Sequence, residues 1–408
     1  MTSGTDFSAR SGGGLADTEE APHAIPFFSQ AKTFEQLWPS LEKTLEEVFD
    51  SGKFSHGKQV GQLEEALADY TGARHVIGVN SGTDALVLLL RACGLRPGDG
   101  VLVPAYSFFA TASAVVLAGG RPEFVDIDPA TYAMDPAALE AAVTERSRFV
   151  MPVHLFHTMA DMAAVTEVAR RHGLTVVEDS AEATGMRRGG VHAGLHGAGG
   201  VLSFFPSKTL GALGDAGAVL TDDPEVARTV DALRHHGRAG RTLNDFRAIS
   251  TETVWPGVNS KMDDIQAAVL LAKLPLLEGH IARRAELAAA YTARLRDVPG
   301  VLHLPQTRAE DPDDRDVYYV YLIETEDRDA LVAHLARHGI GTEVYYPLPL
   351  PHQPAFAHLG HRPGDFPHAE AAARHAVALP FHPDLSPGDV DRMCDTLRCF
   401  LAGSRTTA

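Results

Sequence analysis

Four short stretches of this 408-residue chain place reactive side chains at the ends of apolar runs. Ser81-Gly82-Thr83 follows HVIGV (75–79) and opens the helix-like DALVLLL. Small residues there let backbone N–H groups approach an anion, and a helix N-terminus favours a phosphate. Alone, the same residues make an ordinary strand-to-helix turn with a Ser or Thr cap. Glu178-Asp179 ends LTVVED (174–179). A carboxylate at the end of a buried strand needs an Arg, a metal ion or a protonated ring nitrogen beside it, because an unpaired buried charge is expensive. Lys208 follows VLSFF (201–205). It is either an exposed end charge, the default, or a nucleophile, since desolvation favours the neutral and reactive amine. Phe108 and Phe109, just past VLVPA (101–105), serve a core or stack on a ligand ring.

The elements that must position these residues alternate along the chain. Phe34, Leu37, Trp38, Leu41, Leu45 and Val48 stand at helical spacing and end at Ser51-Gly52; Val60, Leu63, Leu67 and Tyr70 repeat the pattern before Gly72. Short apolar runs then recur, HVIGV, VLVPA, PEFVDI (122–127), FVMPVHL (149–155), LTVVED, VLSFF and GAVLTD (217–222), separated by stretches with helix-like spacing. Strand–helix alternation predicts an α/β fold with a largely parallel sheet covered on both faces, and in such sheets ligands collect at the C-terminal strand ends. Beyond Asp263 the pattern turns helical (265–274, then 277–295, broken at Pro275). A mixed region follows, with strands at YYVYLIE (318–324) and TEVYY (342–346) and helices over 328–338, 369–377 and 390–401. The expected organisation is a disordered tail over 1–24, a large α/β domain over 25–275 and a smaller C-terminal α+β domain over 276–408.

Composition narrows the function classes. Lys and Arg number 36 against 53 Asp and Glu, a net charge of -17 that repels phosphate backbones and anionic lipid, so neither nucleic acid nor a membrane is the expected partner. Residues 1–22 lack the apolar core of a signal peptide, and Val101–Gly120, the longest uncharged stretch, is broken by Pro104 and three hydroxyl residues. Cys93, Cys394 and Cys399 have neither metal-ligand spacing nor a disulfide framework, which suits a reduced cytoplasmic protein. No Walker or G-x-G-x-x-G pattern occurs. Taken together, the four strand ends hold the parts of a pyridoxal phosphate site: phosphate cradle, stacking ring, carboxylate for the pyridine nitrogen, and lysine.

The motifs SGTDAL (81–86), PVHLF…ADM (152–162), EDSAEATG (178–185), SFFPSKTLGALGDAGA (203–218) and NSKMDDIQAA (259–268) resemble those of the DegT/DnrJ/EryC1/StrS aminotransferase family. So do YYPLPLPHQPAF (345–356) and DFPHAEAAARHAVALPFHPDLS (365–386), and the match runs in order from about Ser51 to Asp391. The resemblance implies an aspartate aminotransferase-like fold (the type I fold of pyridoxal phosphate-dependent transferases) and a homodimer with shared active sites. It also implies transfer of an amino group from glutamate or glutamine to a keto-sugar, usually nucleotide-linked, with ping-pong kinetics. By motif, Lys208 is similar to the family's Schiff-base lysine and Asp179 to its pyridine-nitrogen partner. Gly82, Thr83 and Ser203 resemble the phosphate ligands, Phe108 the stacking aromatic, and Asn259 the asparagine that reaches the neighbouring subunit's phosphate. Glu182 falls near the cofactor's phenolic oxygen.

Some positions depart from the commoner family pattern. Glu182 stands where Gln is usual, and a carboxylate beside a phenolate repels it unless it is protonated or turned to another partner. His157 replaces a frequent Gly and Pro351-His352 a frequent His-Leu; either shapes the sugar pocket or is neutral loop drift. Lys261 replaces a frequent Arg, which weakens bidentate anion binding there. His192 and His196 lie in a Gly-rich loop, and no metal is assigned. Lys208 argues against the family's dehydratases, which carry His there. Rival readings are an aminotransferase for a free cyclitol ketone, an aminobenzoate-forming relative, and a non-catalytic regulatory protein on the same fold. The expected activity is amination of a 3-keto or 4-keto-6-deoxyhexose on a nucleoside diphosphate, in amino-sugar or antibiotic biosynthesis.

Overall fold

A computed structural model describes residues 23–55, 57–238, 253–309 and 311–404. The tail expected over 1–24 thus lies, up to residue 22, outside the described residues. Helix α1 (Ala31–Ser51) buries Leu37, Leu41 and Val48 and stops where Gly52 turns left-handed at φ 64°. Helix α2 (Lys58–Thr71) buries Leu63 and Leu67 and ends the same way at Gly72, φ 85°. A left-handed C-terminal residue satisfies the last carbonyls at no Cβ penalty, so the two glycines punctuate the helices where the spacing ends.

The alternating segment forms β1 (His75–Val79), α3 (Gly82–Ala92), β2 (Gly100–Pro104), α4 (Phe109–Ala118), β3 (Arg121–Val125), α5 (Pro136–Ala142), β4 (Ser147–Val150), α6 (Met162–His172) and β5 (Thr175–Asp179). A small hairpin, β6 (Arg187–Arg188) and β7 (Val191–His192), turns at Gly189-Gly190, both with positive φ. Then come β8 (Gly199–Ser203), β9 (Gly217–Thr221) and α7 (Pro224–Arg234). The seven long strands make one sheet in the order β1-β9-β8-β5-β4-β2-β3. The pairs β2–β3, β2–β4, β4–β5 and β5–β8 are parallel, whereas β9 runs antiparallel to both β8 and β1. Every residue of β2, β8 and β9 is buried, as a sheet covered on both faces requires. Because β8 and β9 are antiparallel neighbours, the 204–216 connection turns back at the same sheet end where β1, β2 and β5 finish. Four strand ends therefore converge.

The C-terminal part contains α8 (Asp264–Lys273), a three-ten turn at Leu274–Leu276, α9 (Leu277–Leu295), β10 (Tyr321–Glu324), α10 (Arg328–Arg337), α11 (Pro367–His375), β11 (Ala376–Leu379) and α12 (Pro387–Ser404). The division expected at 275/276 coincides with the three-ten turn. Yet α9 begins in the core beneath the large sheet, through Leu277 and Ile281, and ends among Leu287, Tyr291 and Leu295 in the core around β10 and β11. Two expectations fail here. The segment TEVYY is no strand: it makes a single bridge, Glu343 to Ala378. The Tyr106 hydroxyl instead accepts from the Tyr346 N–H (2.7 Å) and donates to the Tyr345 carbonyl, taking the groups a ladder would use. Ala376 and Val377, read as the end of a helix, belong to β11, which pairs antiparallel with β10 and is wholly buried. Chain ahead of α1 also lies on this part, with Ile25 bonded to Gly339 and Gly341.

Candidate active site

Lys208 sits in the loop between β8 and β9, whose turn is closed by Lys208 N–H to Phe205 O and Ala212 N–H to Phe204 O, each 2.8 Å. Its Nζ donates to Glu182 Oε1 at 3.0 Å and lies 4.2 Å above the Tyr319 ring centroid. The other Glu182 oxygen accepts from the Phe156 N–H at 2.9 Å. Glu182 is thus turned to a backbone donor and to Lys208.

Asp179 ends β5 and is buried. Oδ2 accepts from the Thr111 hydroxyl at 2.8 Å, and Thr111 in turn meets Ser107 Oγ at 2.8 Å. Burial pushes the Asp179 carboxyl above the ordinary aspartate range, although the Thr111 hydroxyl, the Ala181 N–H and the Lys208 charge pull it down. No salt bridge reaches it among the described residues, so a cation beside it would relieve that cost. Its neighbour Glu178 behaves differently. Burial would raise it, but His154 (2.9 Å) and the N–H groups of Gly194, His196 and Gly197 hold it below the usual glutamate value. His154 Nδ1 accepts from the Ala160 N–H, so Nε2 carries the proton given to Glu178. Glu178 is a structural anchor for the 193–197 loop, and Asp179 faces the cavity.

Gly82 and Thr83 form the first turn of α3, whose cap Ser81 accepts from the Asp84 N–H at 3.1 Å. A Cβ at Gly82 would fall 2.9 Å from Ser203 Cβ, and one at Gly217 would fall 2.6 Å from the Ser81 carbonyl carbon. The start of α3 thus packs closely on Ser203 of β8 and Gly217 of β9, with no room for a side chain at Gly82 or Gly217, and a helix N-terminus so placed favours an anion. Phe108 caps α4 at 56% exposure, its ring 6.0 Å from that of Tyr346.

These residues surround one cavity of about 430 Å³, lined by Gly82, Thr83, Phe108, Asp179, Glu182, Ser203 and Lys208 among others. An anion-seeking end at α3, a carboxylate without a cation at Asp179 and an amine between them suit pyridoxal phosphate in size and polarity. Of the expected residues only Asn259 lies elsewhere: it is exposed, does not line this cavity, and accepts from Lys261 Nζ. His157 also lies outside the cavity lining, buried and stacked on Tyr318 (5.6 Å, 16°), and burial holds its pKa down to about 4. His352 pairs with Glu370 at 3.1 Å, and His192 accepts from the Gly185 N–H at 2.8 Å. Among the described residues no group of three or more metal-ligating side chains occurs.

Sequence reasoning missed Thr111, Ser207, Tyr319, Tyr345 and Tyr346. Thr111 lies at the helix start after Phe108, and a hydroxyl there was readable as a possible carboxylate donor. The tyrosines come from a distant part of the chain, and no spacing rule links them to Lys208. Burial raises the Tyr319 hydroxyl above its usual value, with Glu182 adding to the effect, and that hydroxyl meets Ser207 Oγ at 3.0 Å.

The sequence model of the DegT/DnrJ/EryC1/StrS aminotransferase family matches residues 38–398. The chain is 42% identical over 361 residues to a pleiotropic regulatory protein of Geobacillus stearothermophilus, spanning 88% of this chain and 94% of that protein. It is 37% identical over 384 residues to the dTDP-3-amino-3,4,6-trideoxy-alpha-D-glucose transaminase of Streptomyces venezuelae, spanning 94% and 98%. Among solved structures, S. venezuelae DesV in complex with a ketimine intermediate matches at a TM-score of 0.86 and 37% identity, over 93% of this chain and 98% of that one.

Proposed function

The chain belongs to the DegT/DnrJ/EryC1/StrS aminotransferase family, and from that premise we propose that it aminates the C3 or C4 ketone of a nucleotide-linked 6-deoxyhexose, with glutamate or glutamine as donor. It is a pyridoxal phosphate-dependent sugar aminotransferase. The finer reading draws on the relative named for a dTDP-linked amino sugar and on the cavity's make-up. The observation that carries it is the placement of Lys208 Nζ, 3.0 Å from Glu182, in the same cavity as buried Asp179 and the open N-terminus of α3.

Pyridoxal phosphate, when bound, supplies an electron sink for the negative charge that develops at the carbon losing its proton. The rest falls to the chain. Gly82, Thr83 and Ser203, with the α3 N-terminus, would hold the phosphate end, and Phe108 would pack on the ring. Asp179, oriented by the Thr111 hydroxyl, would keep a proton on the ring nitrogen. Lys208 would be the covalent attachment point, and its Nζ, when free, would be the base that moves the substrate proton. Glu182 would accept from that amine whenever it is free, while staying anchored to the Phe156 N–H.

The same reading includes a cytoplasmic homodimer in which Asn259, exposed and outside its own cavity, serves the phosphate of the partner's site. We likewise retain the division into a large α/β domain and a smaller C-terminal domain near residue 275. The test is the absorbance spectrum of the protein with pyridoxal phosphate, before and after L-glutamate or L-glutamine. The reading requires a visible band that bleaches with a donor and is absent in Lys208→Ala. A band that persists with both donors would leave cofactor binding alone and favour the regulatory role that one relative's name carries. Mixed Lys208→Ala and Asn259→Ala subunits should regain activity that neither has alone; no recovery would overturn shared sites.

A further inference from the structure

Lys273 is a lysine in the wrong place for a solvated charge. It ends α8, is 2% exposed, and no carboxylate lies within ion-pair distance among the described residues. Its Nζ donates to two neutral acceptors, Gln30 Oε1 at 2.6 Å and the Gly211 carbonyl at 2.5 Å, and stands 5.2 Å from the Phe34 ring centroid. Burial, reinforced by the Arg284 charge, pulls its pKa down to about 8. A buried cation with only carbonyl-type acceptors costs more than an apolar side chain of the same length, so its retention asks for a reason beyond packing.

The reason lies in what those bonds hold. Gln30, bonded to Lys273 through its oxygen, donates from Nε2 to the Pro206 carbonyl at 3.0 Å. Pro206 and Gly211 are the two feet of the loop that carries Lys208. The feet are pressed together: a Cβ at Gly211 would fall 2.4 Å from the Pro206 oxygen. One network, Gln30 from the segment before α1 and Lys273 from the end of α8, therefore grips both feet from behind. The bonds from Lys208 N–H to Phe205 O and from Ala212 N–H to Phe204 O, each 2.8 Å, straddle the same two feet.

We propose that Lys273, acting through Gln30 and the Gly211 carbonyl, is a positioning residue for Lys208: it fixes the base of the loop so that Nζ swings from a stationary backbone. A side chain that must leave and re-enter a bond each turnover gains from an immobile anchor, because misplacement of a reacting atom by an ångström costs rate steeply. The inference rests on the reading of Lys208 given above, but its first readout does not.

The test compares wild type, Lys273→Met and Gln30→Leu. In the cofactor-free protein, hydrogen exchange at the Lys208 and Ala212 amides should speed up about tenfold in Lys273→Met and less in Gln30→Leu, with the β8 and β9 amides unchanged. On mixing with pyridoxal phosphate, the visible band should form about tenfold more slowly, and kcat should fall by a similar factor with the donor KM within about twofold. Lys273→Gln, which keeps a donor, should recover part of each loss. Loop exchange and loading rates equal to wild type in Lys273→Met, even with a lower melting temperature, would overturn the inference and leave Lys273 a packing residue. If Lys273→Met does not fold, unchanged loop exchange in Gln30→Leu overturns it. A wild-type protein that forms no band would instead overturn the role of Lys208 itself.

Discussion

Replacing Thr111 with Val keeps the shape of the side chain and deletes its hydroxyl, and with it the 2.8 Å donation to Asp179 Oδ2 and the 2.8 Å contact with Ser107 Oγ. A bond to a charged acceptor contributes about 1.5–3 kcal/mol, which corresponds to roughly one to two pK units on the carboxyl. Asp179 already lies above the ordinary aspartate value because of burial, with the Thr111 hydroxyl foremost among the groups pulling it down. Losing that donor moves it further up. A raised carboxyl pKa means protonation arrives at higher pH on acidification, and a protonated Asp179 no longer holds the proton on the cofactor's ring nitrogen. The acid limb of kcat/KM for the amino donor should therefore move up by about one to two pH units, with a loss that grows as pH falls. The assay is single-turnover bleaching of the visible band by L-glutamate across pH 5–9 (an order-of-magnitude window set by ordinary side-chain values). Ser107→Ala leaves the Thr111 bond intact and should shift the limb by less than half as much. An acid limb that stays in place in Thr111→Val, with the band formed normally, would refute the argument that this hydroxyl sets the charge of Asp179.

Three further outcomes follow from the geometry. Glu182→Gln removes the ion pair to Lys208 while leaving an oxygen for the Phe156 N–H, so the pH dependence of the visible band and the turnover should both change. A variant identical to wild type in both would refute the pairing. Gly82→Ala drives a methyl to 2.9 Å from Ser203 Cβ; pyridoxal phosphate affinity should drop by about tenfold or more as the cradle is pushed open, a strain of about 1–3 kcal/mol, read by titration of the visible band. Glu178 is held below the ordinary glutamate range, so its contribution to stability is present above that range and is lost as pH falls through the lower folded value. Glu178→Gln, whose amide has one oxygen to offer the His154, Gly194, His196 and Gly197 donors, should therefore cost about 1–3 kcal/mol or more near neutrality and flatten the acid end of a denaturant-midpoint profile, and an unchanged slope there would be the contrary result.

The sheet was legible because its signal is local. HVIGV, VLVPA, LTVVED and GAVLTD are apolar runs bounded by glycine or charge, and the strands they form lie within a residue of those bounds. The cavity was legible because its chemistry clusters at strand ends, where Gly82, Asp179 and Lys208 each follow an apolar run. TEVYY misled for a physical reason. Aromatic and β-branched residues favour strands, but here Tyr345 and Tyr346 line the cavity and a single side chain, Tyr106, takes their backbone groups. Ala376 and Val377 misled in the opposite sense, since an alanine-rich run reads as helix until a partner strand claims it. Tyr319 and Lys273 were invisible because their importance depends on neighbours 111 and 62 positions away, across contacts that no periodicity encodes.

The position of β9 bears on more than topology. Strand β1, which leads into the α3 turn, is joined to the rest of the sheet through β9 alone. The α3 turn thus hangs from one side of β9, while Ser203, Asp179 and the start of the Lys208 loop hang from the other. A cofactor that touches both ends ties the two sides together across the strand. Its binding energy then adds directly to the resistance of this sheet edge to opening, about 2.7 kcal/mol at a hundredfold excess over its dissociation constant. Heat inactivation of the enzyme should then track cofactor saturation, with loss of β9 protection and loss of cofactor expected together.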